Sequence, residues 1–193
     1  MPIRVEIYGA AGVAVGVVAR PGRLREILES GLDLLVEQAA WHPIDGSPPR
    51  SSGTLTMAED DILLAVSDQL DELPVHAQWH DITVDVGPFR ITAQMPTMPG
   101  FDPGRALARP TGEFVLLRDA RIALRTDEDG PSVVQPAAFV NRYVVDRVSA
   151  DLMLGFFFPG AEMVVTGGHE KAQTPAPVAQ PTPAVDGSAA PPA

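Results

Sequence analysis

Trp-His occurs twice in this chain, at Trp41-His42 and Trp79-His80, and these are the only tryptophans among its 193 residues. An indole beside an imidazole can line a ligand pocket: the ring offers apolar area, the imidazole a proton donor or acceptor. Strands carrying the two pairs could be neighbours in a closed sheet, so Trp41, His42, Trp79 and His80 are the candidate lining of a small-ligand pocket. The plainer reading is a pair of amphipathic aromatics finishing a small core. His76, His80 and Asp81 raise a metal site. On a helix, histidines four apart share a face and can clamp one ion; on a strand they stand ~13 Å apart. Pro74 before them and the strand pattern Ile82–Val86 after them favour the extended form. No second cluster completes a ligand set. Polar strand-edge residues are the preferred account, and no cofactor is implied.

Other constellations fall short of a reaction. Gly9, Gly12 and Gly16 suggest a phosphate loop, but Val13-Ala14-Val15 continues as strand where a phosphate cradle needs a helix N-terminus. Gly-x-Ser-x-Gly is missing from the sequence, and the serines gather in a loop at Ser47–Ser52. The carboxylate runs Glu59-Asp60-Asp61, Asp71-Glu72 and Asp127-Glu128-Asp129 read as solvated turns. Arg105, Arg109, Arg118, Arg121 and Arg125 form a local basic stretch, with Asp119 interleaved, which suits exposed strand-edge charge. With no cysteine, thiol catalysis, disulfides and Cys-ligated zinc are excluded.

Composition narrows the partners. Twenty-five acidic against 14 basic side chains give a formal charge of −11, which argues against a nucleic-acid surface. Lys171 is the only lysine, an arginine bias of the kind a GC-rich bacterial genome produces. No apolar run reaches the ~18–20 residues of a bilayer span, and Met-Pro-Ile-Arg-Val-Glu-Ile alternates like a first strand. The expectation is a soluble cytoplasmic protein that binds no membrane.

The elements that would position these residues follow one another twice in the same order. Two apolar runs around a glycine turn come first, Val5–Tyr8 with Val13–Val18, then Ile82–Val86 with Phe89–Met95. Each pair leads through Pro-Gly to a glycine and a strongly apolar run, Leu32–Ala40 or Phe114–Leu124. Each half then passes an Asp-Gly turn, Asp45-Gly46 or Asp129-Gly130, to a last apolar segment, Asp61–Val66 or Arg142–Val148. Leu24, Ile27 and Leu28 lie at helical spacing between Pro21 and Ser30, predicting one short amphipathic helix closed by Gly31; a turn of helix is its counterpart at Asp102–Ala108. Residues 57–73 stay open: Thr56-Met57-Ala58-Glu59 fits a helix capping box, whereas the order of the second half favours a strand over Asp61–Ser67. Leu152–Phe158 and Ala161–Thr166 read as an appended hairpin, and from Gly168 the Pro/Ala-rich composition predicts a disordered tail.

At Arg23-Leu24-Arg25-Glu26-Ile27-Leu28, Leu117-Arg118-Asp119-Ala120 and Phe139-Val140-Asn141-Arg142 the chain resembles a bacterial family of small β-rich domains of unknown function. The first half reads Glu37-Gln38-Ala39 in place of the Asp-Ala step, and the second lacks the Arg-Leu helix. The resemblance implies a β-rich fold and carries no catalytic residue.

The sequence therefore predicts a mainly β protein: two related small sheets or half-barrels with one short helix, packed about a pseudo-twofold axis. Expected boundaries are 1–74, 75–150, a hairpin at 151–167 and a tail at 168–193. The expected function is a non-catalytic interaction or scaffolding module that binds a protein partner or itself, with Phe156, Phe157 and Phe158 as a candidate surface. The alternative is a small-ligand binder with its pocket between the repeats; a metal-dependent enzyme using His76, His80 and Asp81 ranks third.

Overall fold

Phe114-Val115-Leu116-Leu117 cannot turn four consecutive apolar side chains to one side of a strand, because successive residues point to opposite faces. In the computed structural model, which describes residues 2–68, 73–98, 112–127 and 130–166, all four are buried. They open β8 (Phe114–Leu124), and the same two-sided burial holds for Ala137–Val140 in β9 (Val133–Asn141) and Leu64-Ala65-Val66 in β5 (Leu64–Ser67). Phe114, Leu116, Ala137, Phe139 and Ala65 belong to one core, and Val115, Leu117, Ala138, Val140, Leu64 and Val66 to a second. Three central strands are thus walls shared by two cores.

The remaining strands are β1 (Ile3–Gly9), β2 (Gly12–Val18), β3 (Leu34–Pro43), β4 (Arg50–Met57), β6 (Gln78–Val86), β7 (Phe89–Thr97), β10 (Val145–Ala150) and β11 (Glu162–Val165). All eleven lie in one sheet, ordered β11-β10-β6-β7-β8-β9-β5-β1-β2-β3-β4. Within it, β5-β1-β2-β3-β4 forms a first unit and β10-β6-β7-β8-β9 a second with the same strand order. The units meet where β9 pairs with β5, Val140 opposite Leu64 and Phe139 opposite Ala65. Every pairing from β10 to β4 is antiparallel. Corresponding strands, five places apart, therefore run in opposite directions. The operation relating the units is a half-turn along the sheet combined with a shift of five strands. It also exchanges the faces, which is why the two cores lie on opposite sides.

The correspondence extends to irregularities. The β2–β3 register slips between Val15 and Val17, and the β7–β8 register slips at the corresponding step, between Thr92 and Gln94. The residues bulged out are Gln38 (φ 50°) and Asp119 (φ 52°), the only non-glycine positive-φ residues among those described. Each bulge sharpens the local twist of its unit. Gly16 packs against the first bulge so closely that a Cβ would lie 2.6 Å from the Glu37 carbonyl oxygen.

One helix, α1 (Leu24–Leu28), buries Leu24, Ile27 and Leu28 in the first core. The Arg23 N–H donates to the Glu26 carboxylate at 3.1 Å to start it, and Gly31 (φ 67°) follows its end. The second core is sealed instead by Leu154 and Phe158, both fully buried. Among the described residues no helix is long and apolar enough to cross a membrane.

Several expectations need correcting. Ser51 and Ser52, expected in a loop, lie in strand β4, which runs on through Thr56-Met57; of the two readings left open for residues 57–73 the structure has the strand, β5, preceded only by a 3-10 turn, Glu59–Asp61. Residues 133–141, unassigned by pattern, form β9 despite Pro136. The segment after Ala150 is not a hairpin: Leu152–Phe158 turns back over the core, and β11 then pairs parallel to β10, Val148 opposite Met163. The expected helical turn at Asp102–Ala108, Asp129 of the Asp129-Gly130 turn and the tail at 168–193 lie outside the described residues.

Shared walls predict shared unfolding. Phe139→Ala, at the β5–β9 joint, should cost about 3–5 kcal/mol. Urea unfolding followed by far-UV circular dichroism and by tryptophan emission should remain one coincident transition. Two resolved transitions would show that the units fold independently.

Candidate functional site

Strand alternation separates the two Trp-His pairs. On β6, His80, Ile82, Val84 and Val86 face the second core while Trp79 and Asp81 face outward. Trp79 lies under the Arg118 guanidinium, 3.8 Å from the ring centroid, an attraction between the cation and the electron-rich indole face. The Arg118 Nε and Nη2 donate to Gln94 Oε1 at 2.9 and 2.8 Å, and Gln94 Nε2 donates to Asp81 at 2.8 Å. These side chains form a row across β6, β7 and β8. Trp41 lies on β3, seven places along the sheet from β6, packed against the first core, and His42 is exposed beside it. Trp41, His42, Trp79 and His80 are not brought into one pocket.

His80 is 8% exposed, with Nε2 3.0 Å from Thr97 Oγ1 and Nδ1 3.9 Å from Asp151 Oδ1. The order hydroxyl, imidazole, carboxylate has the form of a nucleophile relay. Thr97, however, is 5% exposed, so its hydroxyl is enclosed with the buried ring. His76 sits exposed in the turn before β6, and Asp81 points away from His80. The three are not converged on one point, and no group of three metal-ligating side chains occurs among the described residues. Phe158 is sealed in the core, with Phe157 partly buried against it and its ring 4.2 Å from that of Phe156. The Phe156 carbonyl accepts from Arg142 Nη2 at 2.8 Å. Phe158 thus closes a core end, while Phe156 and Phe157 lie half-buried beside it.

A charge cluster occupies the outer face of the second unit. Asp85, 3% exposed, accepts from Arg90 Nε at 2.7 Å and Nη2 at 3.0 Å, a two-pronged pairing across the β6–β7 hairpin. Arg125 lies 3.9 Å from the same carboxylate and donates to Asp146 at 3.1 Å. The hydrogen bond from Arg90, with the charges of Arg90, Arg125 and Arg147, holds the Asp85 carboxyl below its ordinary range against the opposing effect of burial. The Tyr8 phenol is pushed well above its ordinary range, by burial and by its hydrogen bond to Glu6.

The concavity that sequence reasoning missed lies at the other end of the sheet. A cleft of about 590 Å³ opens between the β1–β2 turn, Trp41 and β4, lined by Ala10, Trp41, Leu55 and Met57 and by Arg50 and Asp61 of opposite charge. Its β4 wall is the last strand of the sheet; no described strand pairs with its outer edge. The opposite sheet end differs, since β11 covers β10. The available signal was Thr54-Leu55-Thr56-Met57, an alternation that Gly53 (φ 66°) interrupts after too few residues to stand out.

No family model, curated protein or solved structure matches the chain.

The depressed Asp85 carboxyl sets an acid limb. A carboxyl lowered by folding contributes stability above its unfolded pKa, about 3.9. That contribution is lost as pH falls through the lower folded value. Asp85→Asn should therefore be less stable at neutral pH and should flatten the loss of stability below pH about 3.9. Urea midpoints measured from pH 7 down to pH 2 check this; an unchanged acid slope would remove Asp85 as its source.

Proposed function

We propose that this chain is a non-catalytic protein-interaction module that engages partners through the outer edge of β4. The observation that carries this is the β4 edge: the described residues leave its eight residues unpaired beside an apolar cleft, whereas the other end of the sheet is β11, a four-residue strand laid over β10. An unpaired edge offers a row of backbone donors and acceptors that an added strand can satisfy, and a neighbouring pocket supplies side-chain selectivity. The buried polar groups best placed for chemistry, His80 and Thr97, are engaged with each other inside the wall, which favours binding over catalysis. We also infer that the two units derive from copies of one five-strand element, supported by their common strand order and their matching bulges at Gln38 and Asp119.

The Trp41 cleft favours a second reading. Its volume falls within the range of small-molecule sites, and an aromatic wall with two opposed charges could orient a small apolar ligand. Such a pocket would lie within the first unit, not between the units.

Thr54 and Thr56 are exposed on the edge strand, so Thr54→Lys with Thr56→Lys blocks the edge with charge and leaves both cores untouched. The full chain, used as bait at physiological salt, should retain a defined partner or self-associate by light scattering. The double variant should lose that interaction with an unchanged far-UV spectrum. A monomer that returns the same background as the variant would defeat the interaction reading.

A further inference from the structure

The second unit shows what its own counterpart of the Trp41 cleft accepts. Register places Gly87, Ile122, Ala138 and Val140 where the first unit has Ala10, Trp41, Leu55 and Met57. In the second unit that space is filled from across the joint. Leu63, Leu64 and Tyr8 belong to the same core as Ile122, Ala138 and Val140. Leu63 approaches so closely that a Cβ on Gly87 would lie 2.7 Å from its Cδ1, and the Tyr8 ring meets Phe89 edge-on at 5.3 Å. The backbone is tied on both sides: the Leu63 N–H donates to the Tyr8 carbonyl and the Asn141 N–H donates to the Leu63 carbonyl, each at 2.9 Å. The strand delivering these leucines, β5, adds antiparallel to β9, and β9 corresponds to β4. The first unit offers the corresponding strand position, walled by Trp41, Leu55 and Met57, with no described strand on it.

We propose that the β4 edge and the Trp41 cleft together form a strand-acceptor site for an extended segment of a partner protein. That segment pairs antiparallel to β4 and places a leucine against Trp41, Leu55 and Met57, as β5 places Leu63 and Leu64 in the second unit. The inference rests on the interaction reading above and specifies its ligand: a short apolar segment with the character of Leu-Leu-Ala-Val, free to leave its own fold.

A second copy of this chain is the wrong occupant on chemical grounds. Continuing the half-turn would bring its β10 to β4, placing Asp146 and Arg147 where the joint uses Leu63 and Leu64, and Asp85 where it uses Tyr8. Three charges would enter a largely apolar cleft, at a desolvation cost one wall arginine and one aspartate do not offset. The β10 edge is moreover taken by β11, which pairs with Arg147 to Ala150.

The test uses the full chain carrying Trp79→Phe, so that Trp41 is the only indole, titrated with the synthetic peptide Asp-Ile-Leu-Leu-Ala-Val-Ser, the sequence of residues 61–67. The expected result is a saturable change in Trp41 emission. It should weaken at least about tenfold when both peptide leucines are aspartate, and again when the chain also carries Thr54→Lys and Thr56→Lys. The second control separates binding at β4 from invasion of the β5–β9 joint, which the lysines do not touch. No saturable change up to millimolar peptide, or a change insensitive to either control, overturns the strand-acceptor site. Self-association of the unmodified chain that the lysines abolish overturns it too, by making a second copy the occupant. If the peptide fails while the lysine-sensitive partner capture persists, the interaction reading stands and only this inference falls.

Discussion

Burial of β8, β9 and β5 on both faces is the constraint on which the rest of the molecule depends. A strand in a two-layer protein normally turns alternate residues to water, and its sequence alternates accordingly. Here each central strand lies between two cores, so both residue sets must be apolar, and Leu116-Leu117 and Phe139-Val140 run without a polar break. Neither unit has a closed core of its own. The first borrows Phe114, Leu116 and Phe139 from the second, and the second borrows Leu63, Leu64 and Tyr8 from the first. Units this small bury only a limited fraction of their surface on folding. Exchanging walls lets each use the other's strands without a separate interface.

A half-turn with a shift does not close. An isologous pair would use up like edges, whereas this arrangement uses one unit's β9 edge against the other's β5 edge and leaves the counterparts, β4 and β10, at the two extremes. Heterologous joints of that kind propagate unless something stops them. At one end β11 lies along β10, held by four register positions and by the Thr166 N–H on the Ala150 carbonyl at 2.7 Å. At the other end the described chain contributes no cap. One extreme thus ends in the eight-residue β4 beside a cleft and the other in the four-residue β11, and the functional reading follows from that difference more than from any cluster of reactive side chains.

Much of this was legible in the sequence, and the part that was not has a common cause. The hairpins around Gly9–Gly12 and Gly87-Pro88 and the α1 pattern Leu24-Ile27-Leu28 were readable, because their residues face one core with regular spacing. The mainly β class was readable for the same reason. β4 and β9 were not: Gly53 breaks one alternation, and in the other Pro136 and two-sided burial erase the polar half of the signal. The placement of the candidate site residues has a different cause. Trp79 and His80 are neighbours in sequence, which on a strand guarantees opposite faces, so the dipeptide that drew notice could not act as a unit. Phe156–Phe158 looked like a surface because hydrophobicity at a chain's end has no visible partner in one dimension; the second core, sealed by Phe158, supplies it.

The polarity of β4 bears on what sort of acceptor it can be. Its joint counterparts Ala137 and Phe139 face a core, while Thr54 and Thr56 occupy the corresponding positions and face solvent. An edge lined with phenylalanine would recruit any strand, including those of other copies, and would aggregate. Threonine keeps high strand propensity without that liability. Affinity must then come from main-chain hydrogen bonds and from one apolar anchor in the cleft, since the edge side chains contribute little. Such a site discriminates by the anchor: a segment without a leucine at the right place gains only the ladder, whose net hydrogen bonds are worth about 1 kcal/mol each before ordering costs. The same substitution that keeps the edge soluble therefore makes the Trp41 cleft the determinant of which strand it accepts.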